Sequence, residues 1–174
     1  MVDKQTRYVA VDVETTGLSP FRGDRVIEIG AVAIEGNELK EEFHSRIDSG
    51  HRISRQAEKV HGITNKELEG APKPDEVFPA FNQFIRDSVM VAHNARFDME
   101  FLRQEYRRLG FELRSRSRCT LKLSRRLYPY LPNYKLDTVY HHLFGVADIN
   151  IKRHRALDDA RMAARIWLKM MENA

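Results

Sequence analysis

The stretch Tyr-Val-Ala-Val-Asp-Val-Glu-Thr-Thr-Gly, residues 8–17, constrains this chain more than any other. Val9, Val11 and Val13 alternate with the residues between them, which is the pattern of a buried strand. Side chains alternate across a strand, so Asp12 and Glu14 share one face. Two carboxylates side by side on an apolar strand repel each other and resist burial. Either the strand simply reaches solvent here, or a divalent cation sits against both acids and removes both costs. Features far away in the sequence bear on the choice.

The 174 residues suit one domain, 1–174, with a sizeable core. Apolar residues make up 42% and charged residues 31%, ordinary for a globular chain. No apolar run approaches the length of a membrane span, and residues 1–7 lack a signal-peptide core. A soluble cytoplasmic protein is the expectation. The single cysteine, Cys119, excludes an internal disulfide and a cysteine-based zinc site; it reads as a small buried hydrophobe. Net charge is +4 and the pI 9.3, which permits a polyanionic partner without requiring one. Basic residues are denser between Arg103 and Lys135. If residues 113–119 are extended, Arg114, Arg116 and Arg118 share one edge, either as a solvated face or as contacts to phosphates.

Residues 25–34 and 39–47 read as two further strands joined by a turn at Gly36-Asn37, hence an antiparallel meander. A short helix is expected over 54–61, closed by Gly62, and a longer one over 75–87 with Val77, Phe78, Phe81, Phe84 and Ile85 inward. Residues 88–92 read as a buried strand. Asn94 or a neighbour is expected to cap a helix over 95–109. Helices at 121–127, 136–144 and 156–171 complete an α/β pattern, a mixed five-stranded sheet flanked by helices.

Helical geometry, about 100° per residue, sorts the other acids. Asp98 shares a face with Phe101, Leu102 and Leu109. It either complements the helix dipole or projects into a site beside the sheet. In the last helix Asp158 falls with Arg155, Arg161, Arg165, Lys169 and Glu172, a solvated stripe with salt-bridge spacing. Asp159 instead falls with Ala163, Ile166 and Met170 and points inward, where an unpaired carboxylate is costly. His154 lies five residues before Asp159, about 140° away on a continuous helix, so it belongs in the preceding loop. There it is either a surface residue or a group that swings over a site. Asp12, Glu14, Asp98 and Asp159 are hard to explain together as packing. All-oxygen ligation selects Mg²⁺ or Mn²⁺ over zinc. Two such ions about 3.5–4 Å apart can activate a water and stabilise a leaving oxygen in phosphoryl transfer. A neutral histidine nearby can take the water's proton.

Three stretches, Val11 to Gly17, His93 to Asp98 and His154 to Ala160, resemble in order and spacing the three motifs of the DEDDh 3′–5′ exonucleases. The likeness spans nearly the whole chain. It is strongest to the proofreading branch, the epsilon subunit of bacterial DNA polymerase III and the exonuclease domain of the Gram-positive replicative polymerase. The resemblance implies a ribonuclease H-like fold and release of nucleoside monophosphates from 3′ ends. It implies Asp12, Glu14 and Asp159 as metal ligands, with Asp12 bridging both ions and Asp98 holding the second partly through water. His154 is implied as general base. Thr15, Thr16, Gly17, Leu18, His61, Asn94 and Phe97 are implied around the terminal nucleotide. The epsilon subunit carries a further polymerase-binding segment, whereas this sequence stops at Ala174. The expectation is a free-standing enzyme or a domain of a larger protein, with a DNA polymerase catalytic subunit as a possible partner. Competing readings are an exoribonuclease or oligonucleotide exonuclease, which uses the same catalytic set, and an inert nucleic-acid-binding module. Binding alone does not need the acids and His154, and a purely structural protein leaves the inward acids unexplained.

Overall fold

The computed structural model describes residues 6–145 and 154–172. Five strands form one sheet: β1 (Tyr8–Thr15), β2 (Val26–Glu35), β3 (Glu38–Arg46), β4 (Val89–Ala92) and β5 (Ser117–Cys119), in the order β3-β2-β1-β4-β5. β1, β2 and β3 pair antiparallel, β1 and β2 through the longer loop 16–25 and β2 and β3 through a tight turn at 36–37, and β4 and β5 extend the sheet parallel to β1. This is the mixed α/β sheet expected from the sequence. Parallel strands need crossovers, and helices supply them. The helices are α1 (Arg55–His61), α2 (Asn65–Leu68), α3 (Pro74–Ile85), α4 (Ala95–Arg108), α5 (Thr120–Leu127), α6 (Leu136–Phe144) and α7 (Ala156–Glu172).

The valine alternation in β1 is explained by its two buried faces. Val9, Val11 and Val13 pack with Phe78, Phe81, Phe101 and Leu102 of α3 and α4. Ala10 faces the opposite layer, against Ala160, Ala163, Ala164 and Trp167 of α7. Asp12 and Glu14 follow Ala10 at two-residue spacing, so they point toward α7.

Several boundaries differ from the sequence reading. The turn Pro20–Arg22 and the short helix α2 were not expected. Yet α2 carries a capping box: Thr64 and Glu67 each satisfy a donor at the other's backbone. Asn94 occupies the residue before α4 but in a left-handed conformation, φ 71°, and its side chain makes no capping bond. Cys119 is half-buried rather than fully buried, and ends β5.

Candidate active site

β1 delivers Asp12 and Glu14 to its C-terminal end. α7 brings Asp159 over them, and Gly30 makes the approach possible. Gly30 lies directly opposite Asp12 in the β1–β2 ladder. A Cβ there would stand 2.2 Å from the backbone nitrogen of Leu157 and 2.3 Å from the carbonyl carbon of Ala156. The first turn of α7 therefore rests on bare backbone. One carboxylate oxygen from each of Asp12, Glu14 and Asp159 lies within 4.8 Å of the others. Asp98 arrives from the other layer, in the first turn of α4, and is buried.

The acids raise one another's pKa. Burial pushes Asp12 well above the ordinary carboxylate range, and Asp98, Asp159 and Glu14 push it further. Burial, then Asp159, carries Glu14 up to about 8. Asp98 is carried to about 7 by burial, against the backbone N–H groups of Asp98 itself and Val13, which favour its anion. Such a cluster holds protons or a cation at neutral pH. Carboxylate oxygens alone suit a hard divalent ion, and these residues fit one.

A fifth acid behaves in the opposite way. Glu28 is fully buried and sits opposite Glu14 in the ladder. Burial alone would raise its pKa. Donors from His44 (2.9 Å), Arg155 (Nη2, 2.6 Å) and the Ala156 backbone N–H (3.1 Å) outweigh that and hold it ionised, near 2. Arg155 is thus not on a solvated stripe. It clamps the start of α7 to β2, between His154 and Ala156. Neither Glu28 nor Gly30 stood out in the sequence, because their partners lie far along the chain.

Beside the acids a cleft of about 470 Å³ opens, lined by Glu14, Thr15, Gly17, Leu18, His61 and Phe97 among others. Leu18 is 80% exposed on its rim. Gly17 packs closely, since a Cβ would fall 2.4 Å from the Asp24 carboxylate and that side chain would have to move. His61 accepts from the Ile63 N–H through Nδ1 (3.0 Å), so its Nε2 proton faces the Thr15 carbonyl (3.2 Å). Burial lowers its pKa and keeps it neutral. Two residues expected in the cleft do not line it. Thr16 is buried within the loop, where its hydroxyl accepts from the Arg25 N–H (2.9 Å). Asn94 is exposed at the entry to α4. His154 is exposed in the loop entering α7, with φ 57°. Asp158 pairs with Arg161 at 2.8 Å and is more enclosed than its stripe suggested, with a side chain 19% exposed. His93 bridges Thr120 and the Tyr134 carbonyl, a connector beneath the site.

The family model described as "Exonuclease" matches residues 9–167. The chain belongs to the exonuclease family. Among its relatives is a PolC-type DNA polymerase III of Caldanaerobacter subterraneus subsp. tengcongensis, 40% identical over 95% of this chain. The chain spans only 12% of that protein. The DNA polymerase III subunit epsilon of Aquifex aeolicus is 36% identical over 95% of the chain and 80% of its own length. Among solved structures, exonuclease X in complex with 5′ overhanging duplex DNA superposes with TM-score 0.77 at 26% identity, over 98% of this chain and 93% of that one. The sheet and its helices thus have the ribonuclease H-like exonuclease fold. The acidic cluster in such a protein is a divalent-metal site.

Proposed function

We propose that this chain is a two-metal 3′–5′ exonuclease that releases nucleoside monophosphates from DNA ends. The observation that carries the reading is the convergence of Asp12, Glu14 and Asp159 beside a cleft of nucleotide size. Asp12, Glu14 and Asp159 hold the ions, Mg²⁺ or Mn²⁺, with Asp98 completing the set. The ions supply charge neutralisation at the scissile phosphate and lower the cost of forming the nucleophile and of releasing the leaving oxygen. The remaining steps belong to the chain. The cleft lined by Thr15, Gly17, Leu18, His61 and Phe97 holds the terminal nucleoside. Leu18 and Phe97 provide apolar contact, and His61 fixes the Thr15 carbonyl from behind. His154, in the loop pinned by Arg155 to Glu28, takes a proton from the attacking water.

DNA as substrate is supported by relatives that are DNA polymerase III components and by exonuclease X, solved with duplex DNA. The same relatives support a replicative polymerase as partner, and a cytoplasmic location goes with that reading. Among the described residues no helix is long and apolar enough to cross a membrane. End-labelled single-stranded DNA, duplex DNA with and without a 3′ mismatch, and RNA, each in Mg²⁺, Mn²⁺ or EDTA, test the reading. Mononucleotides should appear from the 3′ end of DNA, faster from frayed ends because pairing must first be broken. Hydrolysis in EDTA, or full activity of Asp12→Ala, refutes it; faster attack on RNA moves the substrate to the exoribonuclease reading.

A further inference from the structure

The density of basic residues after Arg103 has no part in the acidic site. The fold disperses part of it, Arg114 and Arg116 to a separate cleft and Arg108 to Glu105, and brings Arg103, Arg118, Lys122 and Arg126 together. β5 is an edge strand of the sheet, as β3 is at the other side, and two clefts flank its C-terminal end. One, of about 390 Å³, lies toward α4 and includes Arg96, Arg103, Arg118 and Lys122. The other, of about 500 Å³, lies toward α5 and α7 and includes Arg118, Lys122 and Arg126 over a floor with Leu123 and Trp167. Arg118 and Lys122 belong to both. Arg96 is paired with Glu100 at 2.8 Å. Arg103, Arg118, Lys122 and Arg126 are exposed, and no carboxylate pairs with them among the described residues. Some cations elsewhere are neutralised, for instance Arg7 by Glu35, Arg25 by Glu105, Lys73 by Asp48 and Arg161 by Glu42, while others such as Arg52, Arg55, Lys59 and Arg86 carry no ion pair among the described residues; what sets the β5 cations apart is that they meet on shared concave surfaces.

Edge strands often carry cations merely to prevent edge-to-edge pairing. That purpose needs charges on the strand itself. Here they converge from α4, β5 and α5 on concave surfaces, which concentrates positive potential. β5 runs parallel to β4 and β4 to β1, so Cys119 ends at the same end of the sheet as the acids. Two strand spacings, about 10 Å, separate β5 from β1. We propose that these paired clefts bind the phosphodiester backbone of the nucleic acid away from its 3′ terminus. The floor offers no exposed aromatic ring, since Trp167 is only 4% exposed. Recognition is therefore of phosphate and not of base, and independent of sequence.

The inference builds on the nuclease reading but is tested without turnover. A fluorescein-labelled 20-nucleotide single-stranded DNA is titrated in EDTA with wild type, Arg118→Ala/Lys122→Ala, and a control, Lys40→Ala/Lys73→Ala, that removes the same charge elsewhere. Two lost phosphate contacts should weaken binding roughly 10- to 30-fold at 0.1 M salt and flatten the log–log salt dependence by about 1.4. The control should stay near wild type. In Mg²⁺ the first variant should lose rate on the 20-mer through KM and keep its rate on a dinucleotide. Equal affinity and salt slope for the two double variants, or no DNA binding by wild type, overturns the proposal and leaves the cations as protection of the open edge. Tight, cleft-dependent binding without hydrolysis in Mg²⁺ would instead sink the nuclease reading alone.

Discussion

Gly30→Ala puts the meeting of β2 and α7 to a direct test. The new methyl carbon would begin 2.2 Å from Leu157 N, where ordinary contact starts at 3.4 Å. The obstruction is backbone, so no rotamer relieves it. The first turn of α7 must lift by more than 1 Å or the strand must sink. Forced overpacking of this kind costs about 1–3 kcal/mol, which for a chain of this size lowers the melting temperature by roughly 3–10 °C. The catalytic effect should be larger than that cost suggests. Asp159 rides on the same turn, and a misplacement of about 1 Å in a positioned group costs on the order of 10²-fold in rate. Single-turnover hydrolysis of end-labelled DNA at saturating Mg²⁺, beside a thermal melt, measures both. The nucleoside cleft lies off this contact, so DNA affinity should hold within about twofold. A Gly30→Ala protein that melts and cuts like wild type would show that α7 does not need the bare backbone, and the account of how Asp159 is placed would fail.

Asp159→Asn should cost several orders of magnitude in rate, whereas Asp158→Asn loses a half-exposed pair with Arg161 worth under about 1 kcal/mol; the reverse ranking would mean that α7 is phased differently. Glu14 and Asp98 have raised pKa values, about 8 and 7, so the metal-free folded protein binds extra protons and its stability falls as pH rises from about 4 through 8. Melting in EDTA should therefore drop from pH 6 to pH 8.5, and added Mn²⁺ should raise it more at pH 8.5 than at pH 6; an equal increment at both pH values counts against cation and protons competing for these carboxylates. His154→Ala should reduce the maximal rate by about 10²–10⁴-fold while DNA affinity is kept. An unchanged maximal rate would remove His154 from the reaction.

What could be read from the sequence was whatever repeats locally. The two-residue period of β1 placed Asp12 and Glu14 on one face, and the helical period separated Asp159 from Asp158, because each period records which side of an element is buried. The capping box before α2 was equally legible in Thr64-Asn65-Lys66-Glu67 but lies in a segment too short to show a period. Glu28 could not be read this way. It looks like any strand acid, and its meaning depends on Arg155, 127 residues away. Gly30 resembles an ordinary strand glycine until α7 is laid across it. Asn94 misled because a residue preferred as a cap is also one that tolerates a left-handed backbone. Thr16 misled because its neighbours face the cleft while its own hydroxyl serves the loop.

The acidic site is shared between the first strand and the last helix, and this has a bearing on how the protein is made. Pairing of β1, β2 and β3 uses contacts close in sequence, whereas docking of α7 closes the longest loop in the molecule. A ribosome-bound chain can therefore complete the hairpins while Asp159 has yet to emerge. Asp12 and Glu14 then stand without their third partner. α7 thus carries one acid of the cluster and one layer of the core at once, so a chain truncated before it should lose both together.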